Sequence, residues 1–155
     1  EGEFKPDEAV LQVDVPLART DTERMRIITP EEKDTLTDEE IKDSLTFFHP
    51  LAILTNQTGE KRTLVEIQIV TGRTHQIRVV AADDLGHPVI GDYMYNAQRS
   101  EAKRQMLHAL KLTFTHPTNG EEMTVQAPLA NDFKRMLSGM TWEQILSEDA
   151  DPQET

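Results

Sequence analysis

The sequence predicts an α+β domain built on a mixed, largely antiparallel sheet with a few short helices. Three observations carry that prediction. Apolar and polar residues alternate with period 2 in residues 11–15, 65–69, 110–114 and 123–127. An Asn119-Gly120 pair separates the last two runs, a strong short-range hairpin signal. Helical spacing is confined to short stretches bounded by glycine or proline.

The first strand carries Leu11, Val13 and Val15 and is closed by Pro16. Residues 29–44 differ in kind. They hold Pro30, a dense acidic run, and Thr37 spaced from Glu40 as a capping box for a short helix. This stretch reads as a solvated acidic insertion. A second strand is placed over 45–54, a turn with Gly59 over 56–61, and a third strand over 62–70. There Val65, Ile67 and Ile69 face one side, and Glu66 and Gln68 the other. Thr74 is then expected to cap a helix carrying Gln76, Ile77, Val80 and Ala81, with Gly86 as its stop. His87-Pro88 does not continue it. After the hairpin, Phe133, Met136 and Leu137 suit a short helix ending near Gly139. Thr141 and Gln144 form another capping box, expected to start a final turn that buries Trp142 and Ile145. One domain is expected over residues 1–147, with 148–155 as a disordered acidic tail.

The length of 155 residues suits a single domain with a real core. No run approaches the roughly 18 apolar residues of a membrane helix, so no membrane partner is expected. The acidic start, Glu1-Gly2-Glu3-Phe4, has no apolar run of the kind a signal peptide carries. The absence of cysteine excludes disulfides, thiolate zinc sites and cysteine nucleophiles, and is compatible with a reducing compartment. A cytoplasmic setting is expected, with an organelle left open.

The net charge of −12 argues against a nucleic-acid partner until it is located. Residues 1–8 hold four acids and one base, residues 31–43 seven acids and two bases, and residues 148–155 four acids. Those three segments account for the whole excess, and the remaining body is neutral. Within it Lys61, Arg62, Arg73 and Arg78 read as one basic group, and Arg99, Lys103, Arg104 and Lys111 as another. Binding of a polyanion follows the local potential, so RNA stays open as a partner.

Five histidines invite a metal reading, but His49, His87 and His116 directly precede proline and no pair has zincin spacing. No metal is expected. The stretch Thr71-Gly72-Arg73-Thr74-His75-Gln76-Ile77-Arg78 stands apart. A strand delivers the chain through a glycine turn to a helix N-terminus, flanked by the planar fork of Arg73. His75 and Arg78 share one helix face. Such an arrangement suits a phosphate or a carboxylate, and it also suits a plain helix start with two surface arginines.

The string TGRTHQIR, followed in order by GHPVIGDYMY, MLHALKLTFTHP and QAPL, resembles the C-terminal half of the RluA-like pseudouridine synthase family. The likeness reaches back to VDVPL and Arg19, so it spans most of residues 1–137. It implies the C-terminal portion of a pseudouridine synthase catalytic domain, isomerising uridine to pseudouridine in structured RNA (rRNA or tRNA) without cofactor or metal. By this resemblance Arg78 orients the catalytic aspartate, and Gly72, Arg73, Thr74, His75 and Gln76 line the cleft and bind RNA. Gly91, Asp92 and Tyr95 match a structural turn, and Leu107, His108 and Ala109 a strand leading out of the site.

The family's His-Arg-Leu-Asp-x-x-Thr-Ser-Gly motif, which holds the catalytic aspartate, occurs nowhere in these residues. The tyrosine that packs on the target base is absent too, and the histidine expected two residues after Arg78 is Val80. The resemblance therefore implies that this chain alone is inactive. The missing N-terminal half is expected either in a longer protein or as a separate chain. The alternative is a non-catalytic RNA-binding or ribosome-assembly protein derived from the family.

Overall fold

The computed structural model describes residues 1–96 and 102–150. In chain order it contains β1 (Leu11–Arg19), β2 (Met25–Ile27), α1 (Pro30–Lys33), β3 (Lys42–Thr55) and β4 (Lys61–Ile69). Next comes α2 (Gln76–Val79), running directly into a π-helical turn (Val80–Asp84). Then follow β5 (Lys111–Thr115), β6 (Glu122–Gln126), α3 (Asn131–Ser138) and β7 (Thr141–Ile145).

The first four strands form an antiparallel sheet in the order β2-β1-β3-β4. The 14-residue β3 is its spine. A register shift between Pro50 and Ala52 divides β3, so its first half pairs with β1 and its second half with β7. Residues opposite one another share a face, which places Leu11 and Val13 beside Phe48 and Thr46. Helix α2 and the π-turn cover that face. Val79 and Val80 join Phe4, Val13, Leu17, Met25, Phe48 and Tyr95 in the main core. Side chains buried to this extent contribute about 1.5–3 kcal/mol each. A second cluster, around Ala52, Leu54 and Leu137, fixes α3 and β7 at the far end of β3.

Several expectations are corrected. β1 runs through Pro16 to Arg19. The Pro16 carbonyl accepts from the Ile28 amide, so its nitrogen faces the same side, where β2 has ended and no donor is needed. In the insertion the helix begins at Thr29, which forms a full capping box with Glu32, whereas Thr37 and Glu40 close only a turn. Helix α2 starts after His75, not at Thr74. His75 is the one non-glycine residue with positive φ (53°) among the described residues, and no side chain caps the helix. The expected last turn is strand β7, with Ile145 exposed; a five-residue run cannot distinguish the two periods. Residues 107–109 lie outside any strand, and β5 begins at Lys111. Ala150 packs in the second cluster, while residues 151–155 and Arg99 lie outside the described residues.

The hairpin forms, with Leu112 opposite Val125 and Phe114 opposite Met123. Its apolar face does not enter the core. Those four side chains are 37% to 59% exposed, and among the described residues β5 and β6 pair only with each other.

Candidate active site

The turn after β4 is held by one buried side chain. Gln76 accepts from Thr71 Oγ1 (2.8 Å) and the Arg73 amide (3.0 Å). It donates to the Leu45 carbonyl (3.1 Å) and Thr46 Oγ1 (2.9 Å). All four hydrogen-bonding positions of the amide are thus used inside the protein. Gln76 was expected to bind RNA; buried and saturated, it instead pins the turn to β3. Gly72, Arg73 and Thr74 remain exposed at its rim.

Arg78 lies one turn further on. Its Nε donates to Asp92 Oδ2 at 2.7 Å and its Nη2 to Oδ1 at 2.8 Å, a bidentate pair with the Asp92 side chain fully buried. The amides of Met94 and Tyr95 also donate to Oδ1. Burial pushes the Asp92 carboxyl up, but the Arg78 bonds and the two amides outweigh it and hold it below the usual carboxylate range. Asp92 is delivered by Gly91, whose φ of +78° suits glycine and whose missing Cβ leaves room for the Arg104 carbonyl. Among the described residues, Nη1 of Arg78 has no hydrogen-bond acceptor.

His75 and Tyr95 complete this group. The Tyr95 hydroxyl accepts from the Met25 amide at 2.8 Å and lies 3.0 Å from His75 Nδ1. Burial, followed by the charge of Arg78, lowers the His75 pKa, which favours a neutral imidazole accepting from Tyr95. Two cations lie over the Tyr95 ring, with the guanidinium carbons of Arg24 and Arg78 at 4.8 and 5.3 Å from its centroid.

A cavity of about 540 Å³ opens beside the rim. Gly72, Arg73 and Thr74 line it together with Arg19, Arg26 and Lys42, and the acidic insertion contributes Glu39 and Glu40. Arg19 and Lys42 come together because Leu17 of β1 pairs with Lys42 of β3. No motif in the sequence could have linked them. The first expected basic group does not form one surface. Lys61 and Arg62 start β4, roughly 27 Å of strand away from Arg73. Lys61 pairs with Glu143, Arg62 with Glu60, and Arg104 with Asp132. Among the described residues no three histidine or acidic side chains converge on a possible metal position. No helix among them is long and apolar enough to cross a membrane.

Comparison with known proteins decides the kinship. Residues 12–83 match the family model described as RNA pseudouridylate synthase. The chain is 48% identical over 84 residues to ribosomal large subunit pseudouridine synthase C of Salmonella typhimurium, covering 48% of this chain and 26% of that protein. An uncharacterized RNA pseudouridine synthase of Synechocystis is 33% identical over 136 residues, 85% of this chain and 38% of that protein. The chain belongs to the RluA-like RNA pseudouridine synthase family. Its fold also matches human RNA pseudouridylate synthase domain containing 1, with a TM-score of 0.71 and 28% identity over 96% of this chain and 59% of that one. The chain aligns with only 24% to 38% of the length of the curated relatives.

Membership makes Asp92 the informative surprise of the site. The sequence offered it as part of a turn. The structure makes it the counter-ion of Arg78, 14 residues away. One sequence signal pointed there: a glycine-aspartate pair following a helix whose buried face carries an arginine.

Proposed function

We propose that this chain supplies the arginine-bearing half of an RNA pseudouridine synthase site, with the catalytic carboxylate provided by sequence outside residues 1–155. The supporting observation is the state of Arg78. It is a permanent cation, fixed along its Nε–Nη2 edge by Asp92, with Nη1 unused among the described residues. Asp92 is a poor nucleophile, since its side chain is buried and its two oxygens accept four hydrogen bonds. An incoming aspartate beside Nη1 would be kept ionised and oriented.

The reaction breaks the bond between N1 of the base and C1′, turns the base, and joins C5 to C1′. The C5 proton is lost as the product rearomatises. The uridine must leave its stack to be reached. Arg73 and Arg19, exposed at the rim of the cavity, suit phosphates of a structured RNA, rRNA or tRNA. Gly72 and Thr74 lie on the same rim, and His75 buttresses it through Tyr95. A cytoplasmic setting fits these substrates. The bare face of Leu112, Phe114, Met123 and Val125 is where the remaining polypeptide packs, whether continuous with this chain or separate from it.

Val80 favours a second reading. It occupies, fully buried, the position where the family carries a histidine, as in a member that binds RNA without catalysis. Release of tritium from RNA labelled at C5 of uridine separates the two. No release is expected from residues 1–155 alone, and release is expected once the polypeptide bearing the aspartate is supplied. Release by the chain alone would sink the proposal, and none in either case would favour the binding protein.

A further inference from the structure

The acidic insertion does not stand free in solvent. Its start is fixed by the Thr29–Glu32 capping box and by Arg26, whose Nη1 lies 2.6 Å from Glu32 Oε1. At its end, Arg73 Nε donates to the Asp43 carbonyl at 2.9 Å, which ties the insertion to the rim. Between these anchors Glu39 and Glu40 line the same cavity as Arg19, Lys42 and Arg73.

Glu40 is itself fixed, accepting from the Thr37 amide (3.0 Å) and Thr37 Oγ1 (2.7 Å). Those bonds hold its carboxyl below the usual range, so it is charged at neutral pH. Among the described residues neither Glu39 nor Glu40 forms an ion pair, so the cations across the cavity are opposed at a distance rather than neutralised by contact. A phosphate approaching Arg73 has to enter a space that already holds two carboxylates.

We propose that Glu39 and Glu40 form an electrostatic barrier across the RNA-facing cavity, holding down binding of RNA whose backbone makes too few contacts to offset it. This rests on the reading of the Arg73 rim as an RNA surface. The physical basis is that discrimination can come from repelling the wrong partner as well as attracting the right one. It also accounts for an acidic element beside a cationic rim in a protein of net charge −12.

The test measures RNA affinity of the 155-residue chain by fluorescence anisotropy across a salt series. The probes are an oligouridylate and a mixed-sequence RNA hairpin. Glu39→Gln/Glu40→Gln is compared with Asp7→Asn/Glu8→Gln, an equal charge change in the exposed N-terminal segment, and with Arg73→Met. Glu39→Gln alone guards against a folding artefact, because Glu39 makes no hydrogen bond among the described residues. At low salt the cavity double variant is expected to bind both probes about threefold tighter or more, with the gain shrinking as salt rises. The single variant should show part of that gain, and the N-terminal pair much less. If Arg73→Met weakens binding while Glu39→Gln/Glu40→Gln matches the N-terminal pair or binds less tightly, the barrier is refuted and the RNA surface stands. If binding is absent, or indifferent to both salt and Arg73→Met, the RNA surface fails and takes the barrier with it.

Discussion

Arg78 and Asp92 close a two-point fork between a helix and the turn that follows it, with Nε on Oδ2 at 2.7 Å and Nη2 on Oδ1 at 2.8 Å. The side chains are 15% and 0% exposed, so the pair is sheltered from solvent and salt. A buried pair of this kind contributes little net stability relative to an apolar replacement, but breaking it on one side is costly. It fixes where the guanidinium points, and through Met94 and Tyr95 it fixes the turn beneath the site.

Arg78→Met therefore strands a buried carboxylate. A loss of about 3–5 kcal/mol is expected, which in a domain of this size lowers Tm by roughly 10 °C. Thermal unfolding followed by circular dichroism checks it. A variant as stable as the parent would mean that Asp92 finds another partner or takes up a proton at little cost.

Two pH windows follow from the same group. The folded-state pKa of His75 is lowered, so its contribution is complete above the unfolded value of about 6.5 and is lost as pH falls below it. That of Asp92 is lowered too, so its contribution is complete above the unfolded value of about 3.9 and is lost at more acid pH. His75→Asn, which tolerates the left-handed backbone, should flatten the stability slope between about pH 5 and 7. Asp92→Asn should flatten it below about pH 4. Denaturant midpoints across pH measure both, and an unchanged slope in either variant contradicts that assignment.

The Arg73 side chain is exposed and, among the described residues, makes one hydrogen bond, to the Asp43 carbonyl, so Arg73→Met should cost about 1 kcal/mol or less of stability. It should weaken RNA binding and reduce the slope of log affinity against log salt by about 1. A steep slope unchanged in the variant would place the phosphate contacts elsewhere.

The β5–β6 hairpin should be the first part of the chain to open. Two strands without a packed face are marginal in water, and its four apolar side chains are 37% to 59% exposed. Hydrogen exchange on residues 1–155 is expected to show its amides unprotected relative to β3, and protected once the rest of the protein is present. Equal protection in the chain alone would refute the packing assigned to that face.

Much of this was legible in the chain. Alternation located β1, β4 and the two hairpin strands, and Asn119-Gly120 marked the turn between the last two. Alternation reports a two-sided environment, however, and not what fills it. Leu112 and Phe114 alternate as core residues do, yet they are 59% and 37% exposed in residues 1–155. Capping chemistry misled where two boxes sat close together: Thr29 with Glu32 starts a helix, while Thr37 with Glu40 only closes a turn. At the site, the motif itself was visible, but the division of labour within it was not. Gln76 and Arg73 are three residues apart, and only the fold turns one inward to saturate the β3 edge and the other outward. The cavity cations Arg19 and Lys42 meet through strand pairing, which leaves no local trace.

The most direct test of the site is the single-turnover rate of tritium release at saturating RNA, in the protein that includes the aspartate-bearing sequence, for Arg78→Lys against the parent. Lysine keeps the charge but is a point donor without a planar fork, so it cannot hold Asp92 and orient a second carboxylate together. The rate is expected to fall about a hundredfold, equivalent to roughly 3 kcal/mol, with the RNA dissociation constant nearly unchanged. A variant that keeps its saturated rate and loses affinity instead would show that Arg78 contacts phosphate, and would contradict the role assigned to it here.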